Sequence, residues 1–194
     1  CATAGVVVVT GDTKVVERGK GDQIFINTTG IGYTHPKAKI DSRRIGAGDK
    51  IILSGNLAAH GVAILSVREG LAFESDILSD TRALNRPVEA LIERFGEGVK
   101  LLRDPTRGGV ATALNEIARD TRLGTEIRED QLPIAEQVAG ACEILGLDPL
   151  YVANEGIFLA WVDASIADEC LTFLRQTDEC AEAACIGEMV EEHP

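Results

Sequence analysis

Between Lys50 and Val190, short apolar runs alternate with stretches whose apolar residues recur at helical spacing. That alternation limits the fold more than any other feature. Strands are expected at Lys50–Leu53, Val99–Leu102, Thr125–Arg128, Ile157–Val162 and Cys185–Val190. Between them the spacing predicts a helix over about 57–70, with Val62, Leu65 and Glu69 along one side, and a second from Pro87 through Val88, Leu91, Ile92 and Phe95. A third carries Val110, Leu114, Ile117 and Ala118, and a fourth runs from Pro133 through Ile134, Val138, Cys142 and Leu145 to a stop at Gly146. The last passes through Ile166, Cys170, Leu171 and Leu174, with Asp163 or Ser165 as its cap. Residues 72–85 read as a polar, acidic loop. The pattern implies an α/β (α+β) domain, a mixed β-sheet flanked by helices.

The chain before Lys50 has a different character. Val6–Val9 reads as a strand buried on both faces, and Gln23–Thr28 alternates like its hairpin partner. Lys37, Lys39, Arg43, Arg44 and Lys50 then gather around the glycine turn of Gly46 and Gly48, which places a domain boundary near residue 44. The first 43 residues are too few to bury a core of their own. They are expected to be a remnant of a second α/β domain, 1–43, ahead of a larger domain, 44–194. A first residue of Cys rather than Met, with almost nothing before the four valines to cover them, points the same way. Exposed strand edges on such a remnant favour pairing with another chain, and so a homodimer.

A formal net charge of −12 argues against a nucleic-acid backbone as partner, yet leaves room for a small anion held by a metal and a few local cations. No apolar run reaches the ~20 residues that span a membrane, and no signal peptide opens the chain. Five cysteines, with no Cys-x-x-Cys pair among them, indicate reduced thiols and a cytoplasmic location, with Cys142 and Cys170 as small core residues. Aromatic residues make up only 4% of the chain, so Val, Ile, Leu and Ala must fill the core.

Three places carry candidate chemistry. Strand 99–102 runs into Asp104-Pro105-Thr106-Arg107-Gly108-Gly109 and then a helix. A carboxylate, a flexible glycine pair and a helix amino terminus suit phosphate oxygens and their metal. Equally, Asp104 or Thr106 can serve as an ordinary helix cap. In the glycine turn Gly11-Asp12-Thr13-Lys14, a carboxylate, a hydroxyl and an amine are presented together. Glu155 stands beside Gly156 at a strand entrance, where a carboxylate is poorly placed if its task is solubility alone. His60, with no partner at metal-ligand spacing, reads as a capping or packing residue.

At Thr10-Gly-Asp-Thr-Lys-Val-Val-Glu-Arg-Gly, followed by Ile24-Phe-Ile-Asn-Thr-Thr-Gly-Ile-Gly, the sequence closely resembles the HypE family of NiFe-hydrogenase maturation factors. Ser54-Gly-Asn-Leu-Ala-Ala-His-Gly-Val-Ala-Ile-Leu, Asp104-Pro-Thr-Arg-Gly-Gly-Val and Ala153-Asn-Glu-Gly resemble that family's later motifs in the same order. Essentially all of the chain is covered. The family belongs to a superfamily of ATP-using proteins with aminoimidazole ribonucleotide synthetase, selenophosphate synthetase and thiamine-monophosphate kinase.

The resemblance implies two α/β domains, dimerisation through the first, and ATP with Mg²⁺ in the cleft between them. Asp12 and Asp104 would ligate the metal, and Gly11, Thr13, Thr106, Arg107, Gly108 and Gly109 would contact the nucleotide. The implied reaction is ATP-dependent dehydration of a carbamoylated carboxyl-terminal cysteine to a thiocyanate. A carbamoyltransferase would supply the carbamoyl group and an iron-carrying scaffold complex would receive the cyanide. Lys14 and Glu155 would lie near that cysteine as catalytic bases, with Lys14 alternatively a cation against phosphate. Two family features lie outside these 194 residues, the first part of the amino-terminal domain and a tail ending in Pro-Arg-Ile-Cys. Other readings are a non-catalytic docking module or another ATP-dependent synthetase or kinase of the superfamily.

Overall fold

Ile51, Ile52 and Leu53 are consecutive and none has any exposed surface, which requires a strand covered on both faces. The computed structural model describes residues 1–21, 23–70 and 77–191 and shows how the cover is supplied. In chain order the elements are β1 (Lys50–Leu53), α1 (Ala59–Glu69), α2 (Asn85–Phe95), β2 (Val99–Arg103), α3 (Gly109–Thr121), β3 (Gly124–Ile127), α4 (Glu136–Leu145), β4 (Leu159–Val162), α5 (Ala167–Leu174) and β5 (Ala184–Val190), with short 3₁₀ turns between. The five strands form one sheet in the order β2-β4-β1-β5-β3, and each of the four pairings is antiparallel.

The alternation of side chains along β1 and β4 divides the core in two. Ile51, Leu53, Leu159 and Trp161 face α1, α3 and α4 through Val62, Val110, Leu114, Ile117, Val138 and Cys142. Ile52, Ala160 and Val162 face α2 and α5 through Leu91, Ile92, Cys170 and Leu174. Each fully buried aliphatic side chain contributes roughly 1.5–3 kcal/mol, so the central strands hold the layers together.

The α/β class and the strand and helix positions after Lys50 match the sequence reading, with shifts at the ends. The fourth helix starts at Glu136 rather than Pro133, because Ala135 is extended (ψ 138°) and the Pro133 carbonyl accepts from Leu57 N at 2.8 Å. That same bond takes Leu57 out of α1, which begins at Ala59 after Ala58 turns left-handed (φ 69°). Asp163 caps a 3₁₀ turn ahead of α5, its Oδ1 accepting from Ser165 N at 2.9 Å. Of the acidic stretch 72–85, residues 72–76 lie outside the described residues, 77–84 have no regular structure and Asn85 opens α2.

The expected strands at Val6–Val9 and Gln23–Thr28 do not form. Val6 to Val9 are 56–87% exposed, Ile24 to Ile26 are 74–87% exposed, and neither run adopts strand geometry. A hairpin alone is marginal in water, and a buried strand needs neighbours on both edges and faces. The domain's sheet does not provide them, its edges being β2 and β3. The segment is tied to the domain at Asn85 Nδ2, which donates to Ala4 O at 2.9 Å, and again beyond His35. There four of the five cations of the basic cluster are paired. Lys37 pairs with Glu93 and Lys39 with Glu97, both at 2.5 Å, while Arg43 grips Asp41 and Lys50 pairs with Glu188. The Arg43 hydrogen bonds hold the Asp41 carboxyl at about 2.

Cys142, Cys170 and Cys180 are buried and Cys1 is exposed. Burial pushes the Cys170 thiol up to about 12 and raises Cys142 and Cys180 as well. Since the thiolate is the nucleophile, iodoacetamide at mildly alkaline pH is expected to label Cys1 and spare these three until denaturant is added. Peptide mass mapping reads the result, and native labelling of Cys170 as fast as Cys1 would contradict the burial. A buried thiol favours the fold fully below its unfolded pKa of ~8.5 and loses that advantage as pH climbs toward the folded value.

Candidate functional site

The sheet topology brings the Ser54, Asp104 and Glu155 loops to one end of the sheet. Leu53 and Arg103, the last residues of β1 and β2, both pair with Leu159, the first of β4. The loops 54–58, 104–108 and 153–158 therefore leave the sheet side by side. Ser54 joins the first to the third: its N donates to Phe158 O at 2.9 Å and its Oγ accepts from Phe158 N at 2.8 Å. Gly61 N adds a bond to Ala153 O at 3.0 Å.

Asn154 joins all three. It has no exposed surface. Its Oδ1 accepts from Ala58 N at 2.8 Å, and its Nδ2 donates to Pro105 O and to Val152 O, each at 3.0 Å. One buried amide thus satisfies backbone groups from the Ser54, Asp104 and Glu155 loops together. Such groups would otherwise be orphaned away from water.

The Asp104 turn ends at Gly108 (φ 76°), the amino-terminal cap of α3, and Gly109 N donates to Thr106 O at 3.1 Å. No side chain caps α3. The capping role open to Asp104 and Thr106 is therefore not what they do, and the positive pole of the helix dipole stays directed at this end of the sheet. Thr106 is half-buried and Gly109 buried, whereas Asp104, Arg107, Gly108 and Glu155 are exposed. Among the described residues, the side chains of Asp104, Arg107 and Glu155 have no hydrogen-bond or ion-pair partner. Asn154 points into the core and its neighbour Glu155 outward.

Gly11, Asp12, Thr13 and Lys14 sit apart on the exposed amino-terminal segment. Asp12 Oδ1 accepts from Thr13 N at 2.8 Å, and Asp12 to Lys14 line a cavity formed with residues of their own segment up to Asn27. The structure joins the Asp104 turn to Glu155. Among the described residues, no hydrogen bond or ion pair joins Gly11–Lys14 to either. No three His, Cys, Asp or Glu side chains converge among the described residues.

Two residues of the site escaped the sequence reading. Asn154 was inside a recognised motif, but its neighbour Glu155 carries the more conspicuous chemistry. Asp80 lies in the acidic loop, yet it is only 7% exposed and its carboxylate accepts from Glu155 N at 3.1 and 3.3 Å. Beside it, His60 Nδ1 meets Ser79 Oγ at 2.9 Å, consistent with a packing histidine. A cavity of about 360 Å³ opens here, lined by Gly55, Ala59, Asp80, Val138 and Glu179 among others.

Residues 46–194 match the family model described as AIR synthase related protein, C-terminal domain. Over 191 residues the chain is 51% identical to the carbamoyl dehydratase HypE of Azotobacter vinelandii, covering 98% of this chain and 56% of that protein. A crystal structure of Escherichia coli HypE, a hydrogenase maturation protein, superposes with a TM-score of 0.93 at 42% identity, over 98% of this chain and 59% of that one. A HypE crystal structure in complex with ATP matches at TM-score 0.74 and 43% identity, over 77% and 44% of the two chains. A HypE–HypF complex matches at 0.79 and 38%, over 81% and 52%. The chain spans about half the length of the curated relatives it matches. No helix among the described residues is long and apolar enough to cross a membrane. The family match takes in the whole five-stranded sheet and the loops that Asn154 ties together, and this chain belongs to the AIR synthase related protein family.

Proposed function

We propose that this chain is the carboxyl-terminal domain, with an amino-terminal remnant at 1–43, of an ATP-dependent carbamoyl dehydratase of hydrogenase maturation. The observation that carries this reading is the junction at Asn154. It sets the exposed carboxylates of the Asp104 and Glu155 loops at one end of the sheet, in a chain half identical to a carbamoyl dehydratase. ATP as substrate is supported by the ATP complex of a HypE, and a carbamoyltransferase partner by the HypE–HypF complex. An iron-carrying scaffold complex as acceptor and a homodimer built through residues 1–43 belong to the same proposal, as does a cytoplasmic location.

The chemistry sets the roles. Turning S–C(=O)–NH₂ into S–C≡N removes the oxygen and two protons from the nitrogen. ATP takes the oxygen away with its phosphate, leaving ADP. Asp104 suits the Mg²⁺ of the nucleotide, because this ion takes one or two carboxylates and completes its shell with phosphate and water. Asp12 would be its second ligand, since only one of its oxygens is engaged by Thr13 N. Thr106, Arg107 and Gly108 offer N–H groups, a hydroxyl and a guanidinium at the α3 dipole, and Gly109, whose own N–H is taken by Thr106 O, keeps the backbone open to a phosphate. The Gly11 N–H and the Thr13 hydroxyl would add donors from the amino-terminal segment. Glu155 removes a proton from the nitrogen. Lys14 acts as the second base when desolvated, and otherwise as a cation against phosphate.

The test is mass spectrometry of the intact protein, carrying a carbamoylated terminal cysteine, after Mg-ATP is added. Water loss is expected to stall in Glu155→Gln, Lys14→Ala and Asp104→Asn. Wild-type rates in Glu155→Gln and Lys14→Ala would remove both from catalysis. Absence of water loss even in the unaltered protein would favour a docking module instead.

A further inference from the structure

We infer that Asp80 is a positioning residue for Glu155, an inference that rests on the proposed base role of Glu155. The Glu155 side chain is exposed and has no hydrogen-bond or ion-pair partner among the described residues, so the fold positions it only through its backbone. Two contacts from one residue fix that backbone. The Asp80 carboxylate receives Glu155 N through both oxygens, at 3.1 and 3.3 Å. The Asp80 carbonyl presses on the next residue so closely that a Cβ at Gly156 would lie 1.7 Å from it. Only glycine allows that approach.

Asp80 is itself braced. Arg82 Nε donates to the Asp80 carbonyl and Arg82 Nη1 to Glu179 O, each at 3.0 Å, which anchors the loop to the segment before β5. On the other side Ser79 Oγ meets His60 Nδ1 of α1 at 2.9 Å and Thr81 Oγ1 at 2.7 Å. Asp80 is buried, and a buried carboxylate loses solvation and is retained where it makes charge-assisted bonds. The bond that Asp80 makes is to the amide of the proposed base.

The test uses the intact carbamoylated protein and the single-turnover rate of water loss with Mg-ATP. Removing the acceptor in Asp80→Ala is expected to lower the rate roughly 10- to 100-fold, the scale of a displaced catalytic group. The Mg-ATP concentration at half-maximal rate should stay unchanged, because Glu155 is not a nucleotide contact. Asp80→Asn keeps an oxygen that accepts the Glu155 N–H, so most of the rate should return. In a Glu155→Gln background, Asp80→Ala should cost little more, since both act through one group. Wild-type turnover in Asp80→Ala would overturn the proposal. So would an Asn variant as impaired as the Ala variant, or an equal loss in the Glu155→Gln background. Glu155→Gln at the wild-type rate would instead overturn the base role itself, and this proposal with it.

Discussion

Gly109→Ala is expected to destabilise the domain by about 3–5 kcal/mol, the left-handed strain of a non-glycine residue added to an overpacked backbone contact. Gly109 has φ +64°, and a Cβ there would meet Leu150 O at 2.3 Å, with Tyr151 C and Val152 O at 2.8 Å. All three are backbone atoms, so no rotamer change relieves the clash. Either α3 or the 149–152 turn has to shift, and the Asp104 turn shifts with it. The control is Gly146→Ala. Gly146 has nearly the same φ, +65°, but a Cβ there meets nothing within 4 Å, so only the conformational cost of about 1 kcal/mol applies. Urea unfolding followed by the fluorescence of Trp161, the only tryptophan and fully buried, measures both. Equal losses in the two variants would mean that close approach at the Asp104 turn contributes nothing.

Why that turn was legible in the sequence, and Asp80 was not, has a physical answer. Gly108 and Gly109 follow an apolar strand and precede a helical repeat, so local spacing alone places them at a strand-to-helix turn. β1 was equally plain, since Ile51–Leu53 is an uninterrupted apolar run and both its faces are covered. Burial of Asp80 comes from contacts with residue 155 and from Arg82 reaching residue 179, across separations that local pattern does not encode. The acidic stretch containing it reads as solvated because charge usually is.

Val6–Val9 fails for the opposite reason. Its residues carry a strong strand signal, but a strand is a property of a pair, and the described residues contain no ladder for it. Gly11, Asp12, Thr13 and Lys14 share that dependence, because their place relative to Asp104 is set by whatever orders the segment bearing them. Glu155 was found from its glycine neighbour and the strand after it. That its loop lies beside the Asp104 turn depends on the pairing of both β1 and β2 with β4, which is visible only in the sheet.

The Asn154 junction leads to a prediction whose sign changes with pH. Replacing Asn154 by Leu keeps the bulk and deletes the bonds to Ala58 N, Pro105 O and Val152 O. Orphaned buried groups cost ~1–3 kcal/mol each, and partial relaxation of the loops brings the expected loss to about 3 kcal/mol. That corresponds to a melting temperature lower by roughly 6–12 °C for a domain of this size. Asn154→Asp should behave differently. As a neutral acid, the new carboxyl can accept from Ala58 N and donate to one of the two carbonyls, losing a single bond. Ionised, it is a buried charge facing two carbonyl oxygens that repel it, so its folded pKa lies above the unfolded value of ~3.9. A group raised in this way contributes fully below the unfolded pKa and loses its contribution as pH rises through the folded one. The Asp variant should therefore approach the parent's stability near pH 4 and fall below even the Leu variant near neutrality. Denaturation midpoints measured across that range decide the matter: a difference between parent and Asp variant that is flat with pH would show that Asn154 does not hold these three loops together.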